Sequence, residues 1–177
     1  GSLCPHEDYI YFNWPTKAEQ AEIEAYQAGV KQVRDQLLGN DAFARMIATH
    51  KGLRDPEAYS DRFLENPQYF SSLLIFCQAR EIPFPRYLKE LIGTRGRLPA
   101  LNDSWLEILL QGFMYEDADS YEVPDEQRQQ LHKALKEAGC IYRKKVTLTH
   151  KEDMQKLLVK SRGKLESIGA ILEAEHQ

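Results

Sequence analysis

Two stretches of this chain, residues 69–77 and 105–114, are apolar on nearly every side of a helix, which limits the available folds more than any other feature does. The first carries Tyr69, Phe70, Leu73, Leu74, Ile75, Phe76 and Cys77; the second carries Trp105, Leu106, Ile108, Leu109, Leu110, Phe113 and Met114. A helix with one apolar stripe can rest on a surface, whereas one that is apolar all round has to be wrapped by other elements. Both stretches fall far short of the roughly 20 residues that a bilayer span needs. They are therefore expected to lie side by side in the middle of a helical bundle.

The rest of the chain supplies the wrapping. Thr16 and Glu19 form a capping box, after which Ile23, Tyr26, Val30, Val33 and Leu37 recur at helical steps until Gly39 offers a stop. That stripe is too short for a partner coiled coil and is expected to pack on its own domain. A short helix is expected over residues 41–51. The pairs Asp55–Pro56 and Asn66–Pro67 each read as a cap followed by a proline at the first helical position. Pro83 and Pro85 break the chain before a short amphipathic helix ending at Gly93, and Ser104 with Glu107 reads as a further capping box. Residues 125–139 form a surface helix with Leu131, Ala134, Leu135 and Ala138 facing inward, and Thr149 with Glu152 opens a last helix. Residues 140–148 are the best strand candidate, with 9–14 as their natural partner.

The expectation is a mainly α fold: a compact bundle of seven or eight helices with a small two-stranded ribbon pairing residues 9–14 with 140–148. At 177 residues, 42% of them hydrophobic and 28% charged, the chain suits one domain over 1–177 with a sizeable core, and it is neither disordered nor fibrous. Gly1 and Ser2 read as the remnant of a purification tag.

Three cysteines, Cys4, Cys77 and Cys140, are an odd number at wide spacing, which suits free thiols in a reducing, cytoplasmic setting. Leu3 before Cys4 leaves a lipid-modified cysteine as an alternative. Cys4, His6 and Glu7 bring together a thiol, an imidazole and a carboxylate, but the other histidines are scattered and no metal or cofactor is expected. Asp117 and Asp119 open like a calcium loop, yet Tyr121, Glu122 and Arg128 stand where the loop needs an oxygen ligand, a glycine and a glutamate.

Nucleophile elbows, phosphate-binding glycine loops and kinase signatures are missing from the sequence. Arg95 and Arg97 sit in a glycine-flanked loop and offer a weak anion site. A dispersed enzyme site remains an alternative, with Glu65, Glu81, Glu90 and Glu107 near the apolar helices.

Charge is unevenly spread. The net −4 of the whole chain divides into −7 over residues 1–142 and +3 over residues 143–177. Arg143, Lys144, Lys145, Lys156 and Lys160, with Tyr142 for stacking, suggest a nucleic-acid contact, although a pI near 5.8 argues against a dedicated binder. The acidic stretch with Glu116, Asp117, Asp119 and Glu122, and the aromatic string with Tyr9, Tyr11 and Trp14, point instead to a protein partner with a basic surface. The leading expectation is thus a non-enzymatic binding protein, such as an adaptor or a toxin-neutralising immunity-type protein.

Overall fold

The computed structural model describes residues 16–93 and 97–149. Internal packing separates a unit Tyr26–Thr149, which holds the core, from a second formed by Gly1–Ala25 and His150–Gln177. Among the described residues there are eight α-helices and one hairpin, so the mainly α expectation holds.

Helix α1 (Lys17–Gly39) opens with the expected capping box: the Glu19 amide donates to Thr16 Oγ1 at 3.3 Å, and the Thr16 amide donates to Glu19 Oε2 at 2.7 Å. Its stripe buries Val30, Val33 and Leu37. Asn40 caps α2 (Asp41–Ala48), and His50 caps the single turn of α3 (Lys51–Arg54). After Asp55–Pro56 the chain turns before entering α4 (Ser60–Glu65), so the expected restart at that proline comes four residues later. The Asp55 side chain accepts from the Ala58 amide at 3.4 Å, which spends the cap on a turn.

Asn66–Pro67 does start a helix. The Tyr69 amide donates to Asn66 Oδ1 at 3.2 Å, and α5 (Pro67–Ala79) follows with eight buried residues, including Phe70, Leu73, Leu74 and Phe76. Its end is a Schellman turn in which the Ile82 amide donates to the Cys77 carbonyl at 2.8 Å and Glu81 takes the left-handed position at φ 55. The short α6 (Tyr87–Leu91) follows the two prolines. Helix α7 (Asp103–Gln111) packs along α5 more extensively than any other pair of elements packs, as expected of two helices that are apolar all round. Phe76 and Phe113 pack edge-to-face with Phe43, their ring centroids 5.3 and 5.8 Å from its own, tying both segments to α2.

The cap of α7 is Asn102, whose Oδ1 accepts from the Trp105 amide at 3.0 Å. Glu107 is thereby free of the Ser104 capping box and serves elsewhere. Its Oε2 accepts from the Leu148 amide at 2.7 Å and from the Thr149 amide and hydroxyl at 2.9 and 2.8 Å. That use of Thr149 also touches the cap expected at Thr149–Glu152; Glu152 itself lies outside the described residues.

From Gly112 the helix widens into a π turn (Gly112–Glu116), continued by a 3₁₀ turn (Ala118–Ser120). Helix α8 (Asp125–Glu137) buries Leu135 as expected, but Ala134 is exposed beside a groove bounded by the end of α1 and by α2. The ribbon differs from expectation. Residues 141–142 (β1) turn back on residues 145–146 (β2), with Ile141 opposite Val146 and Tyr142 opposite Lys145. The partner of this strand segment is thus its own continuation, and residues 9–14 lie outside the described residues. The local reason is a two-residue turn, Arg143–Lys144, that closes the ladder without a distant strand.

Candidate functional site

His50 stands between Thr49, the C-cap of α2, and α3, which it caps; its ring is wholly buried among Tyr59, Phe63, Tyr69 and Tyr121. Nδ1 accepts from the Gly52 amide at 3.0 Å, which places the ring proton on Nε2. That proton is donated to Asp117 Oδ2 at 2.8 Å. Gly52 permits the approach, because a Cβ there would sit 2.3 Å from the Phe63 ring.

Asp117 reaches His50 because of the π turn. Its amide donates to the Gly112 carbonyl at 2.8 Å, and the wide turn swings the carboxylate under α3, where His50 and Tyr121 also form an isolated antiparallel bridge. Oδ1 accepts from the Ser120 hydroxyl at 2.6 Å and from Arg62 Nη1 at 3.4 Å. Burial works to raise the Asp117 pKa, but hydrogen bonds from His50, Ser120 and Tyr69, with the pull of the His50 N–H dipole, outweigh it and hold the carboxyl below its ordinary value. The Tyr69 and Tyr121 hydroxyls meet at 2.5 Å, and burial pushes both phenols far up, so each keeps its proton.

This network is a latch. Both nitrogens of His50 are committed and the ring has no exposed surface, so it has no lone pair to offer a substrate as a general base. Other cations hold the same loop: Lys51 Nζ donates to the Asp119 carbonyl at 2.9 Å, and Arg128 donates to the Phe113 and Ala118 carbonyls at 3.2 and 3.0 Å.

On the outer side of Asp117 the loop opens into a cavity of about 240 Å³ whose wall includes Tyr59, Arg62, Glu65, Tyr69, Glu116, Asp117 and Asp119. Four carboxylates and one guanidinium line it. Glu65, Glu116 and Asp119 are exposed and have no ion-pair partner among the described residues. No protein-family model, no curated protein and no solved structure matches this chain.

The residues marked from sequence divide clearly. Glu116, Asp117 and Asp119 all line the cavity, Asp117 being also bound into the internal latch, while Glu122 is spent on an exposed pair with Arg54 at 2.7 Å. Of the dispersed glutamates, Glu65 joins the cavity, Glu107 is consumed by the 148–149 backbone, and Glu81 caps α5. Arg97 is exposed, and Arg143, Lys144 and Lys145 are exposed on the hairpin. Tyr9, Tyr11, Trp14, Arg95, Lys156 and Lys160 lie outside the described residues. Sequence reasoning missed His50, Tyr59, Arg62, Tyr69 and Ser120. The one local signal was a histidine two residues before Gly52, in a position where its ring can cap a turn.

Among the described residues no group of acidic, histidine and cysteine side chains could hold a metal ion, and no helix is long and apolar enough to cross a membrane.

Proposed function

We propose that the chain works by binding another protein, and that the cavity beside Asp117 receives a basic side chain of that partner. The observation that carries this reading is the convergence of Glu65, Glu116, Asp117 and Asp119 on one cavity walled by Tyr59 and Tyr69. Carboxylates at the rim steer a cationic surface toward the site and fix its register. Tyrosine faces attract a guanidinium, as the position of Arg62 5.5 Å from the Tyr59 ring centroid illustrates. The rigid loop favours such a role because its carboxylates need no reordering on binding. Tyr9, Tyr11 and Trp14, which lie outside the described residues, remain a separate candidate contact for a protein partner on the strength of their residue types alone. The free, buried thiols of Cys77 and Cys140 fit the reducing, cytoplasmic setting proposed with it; burial pushes them up to about 12 and about 11, away from reactive thiolates.

Titration of a short arginine-rich peptide into the wild type and into a Glu65→Lys/Glu116→Lys/Asp119→Lys variant, with circular dichroism to confirm the fold, tests this. Exposed pairs contribute about 0.2–1 kcal/mol each, so the three reversals together are expected to weaken binding about tenfold. Added salt should weaken the wild type more than the variant. Equal affinities for the two proteins would remove the basis of the proposal.

A further inference from the structure

The hairpin β1–β2 is built against the preference of its own turn. A two-residue turn with both residues left-handed is best filled by Asn-Gly, yet here Arg143 and Lys144 adopt φ 46 and 63. The surrounding structure holds them there. Gln111 on α7 accepts from the Val146 amide at 2.9 Å and donates to the Lys144 carbonyl at 3.3 Å, holding β2 by two of its backbone groups. Glu107, one turn earlier on α7, grips the amides of Leu148 and Thr149 just beyond. The outcome is a rigid finger that carries Arg143, Lys144 and Lys145 in succession, all exposed, behind a Tyr142 that is 56% exposed. The Arg143 guanidinium lies 5.2 Å from the Tyr142 ring centroid.

Strain kept at an exposed tip calls for a reason in what the tip presents. We infer that the hairpin tip is a contact site for single-stranded nucleic acid, with Arg143, Lys144 and Lys145 on backbone phosphates and Tyr142 stacked on a base. Successive cations beside an exposed aromatic ring are the elements of a sequence-tolerant single-strand site, where charge follows the backbone and the ring supports a base. One tyrosine with no exposed aliphatic side chain on the same finger favours a stacking partner over an anionic bilayer, which rewards apolar insertion. The site is separate in its residues from the acidic cavity, and neither proposal depends on the other.

The test is fluorescence anisotropy of a labelled oligo-dT strand titrated with the full chain over a series of salt concentrations. The decisive variant is Arg143→Asn/Lys144→Gly, which gives the turn its preferred residues while removing two charges. It is expected to unfold at a temperature no lower than the wild type, yet to bind the strand at least tenfold more weakly. Its salt dependence, as the slope of log K on log salt, should be shallower by about 1.4. Arg143→Gln, which leaves the Lys144 backbone as it is, should make the slope shallower by about 0.7. Tyr142→Ala should lose about tenfold in affinity with the slope unchanged, and Tyr142→Phe should retain binding. Failure of the wild type to bind oligo-dT at low salt overturns the inference. Equal affinity in the Asn/Gly variant, or preferential capture by phosphatidylserine vesicles that compete the strand away, does so as well.

Discussion

Asp117 shows how a residue that reads as surface charge can be an internal strut. Its side chain is 18% exposed, and its two oxygens accept from His50, Ser120 and Arg62. Asn in its place keeps the shape but offers an amide where Ser120 and Arg62 already donate, so donor would face donor. Asp117→Asn is therefore expected to cost about 1–3 kcal/mol at neutral pH, measured by urea denaturation. The acid limb adds a sharper readout. Because the folded pKa lies below the ordinary 3.8, the carboxylate stabilises the fold above that value, and the contribution is lost as pH falls through the lower folded value. The wild type should lose stability in that window more steeply than Asp117→Asn does; parallel acid limbs would show that the latch contributes nothing.

Among the elements, the passage from α7 into the π turn is the joint on which the site depends. Gly112 opens that turn against Tyr69, and a Cβ there would lie 2.0 Å from a Tyr69 ring carbon. Gly112→Ala must displace Tyr69 from the Tyr121 hydroxyl or spread the helices, and is expected to destabilise by about 1–3 kcal/mol in a denaturation experiment. Gly39→Ala is the control. At Gly39, where a Cβ meets nothing within 4 Å, alanine should be neutral or slightly favourable. The same joint explains which parts of the structure were legible in the sequence. Caps and apolar stripes are local: Thr16–Glu19, Asn66–Pro67 and the left-handed Gly139 after α8 stand where the pattern puts them. The pairing of the two apolar segments follows from burial alone. Glu107 was misread because its pattern with Ser104 is local whereas its actual partners lie 41 and 42 residues away. The latch was illegible for the same reason: His50 and Asp117 are 67 residues apart, and no periodicity marks the π turn that joins them.

At the scale of the whole molecule, the buried hydrophobic side chains among the described residues form one cluster running from Val30 to Leu148, to which α5 contributes Tyr69, Phe70, Leu73, Leu74, Ile75, Phe76 and Cys77. A protein of this kind is marginally stable, by about 5–15 kcal/mol in all. Truncating a fully buried aromatic ring costs about 3–5 kcal/mol, because the lost transfer energy is joined by the cavity left behind. Phe76 is wholly buried and packs edge-to-face with Phe43, so Phe76→Ala should consume about a fifth or more of the total stability of a typical domain. Leu64, a large apolar residue that is 62% exposed, should lose under about 0.5 kcal/mol on the same truncation. Parallel urea titrations of the two variants decide the matter. If the core is one cooperative cluster, Phe76→Ala lowers the midpoint and leaves the steepness of the transition as it was, since as much surface is exposed on unfolding as before. A broadened transition would mean that α5 with its neighbours melts as a separate piece. The rigidity that the cavity beside Asp117 draws from α5 through Tyr69 would then be local rather than a property of the whole core.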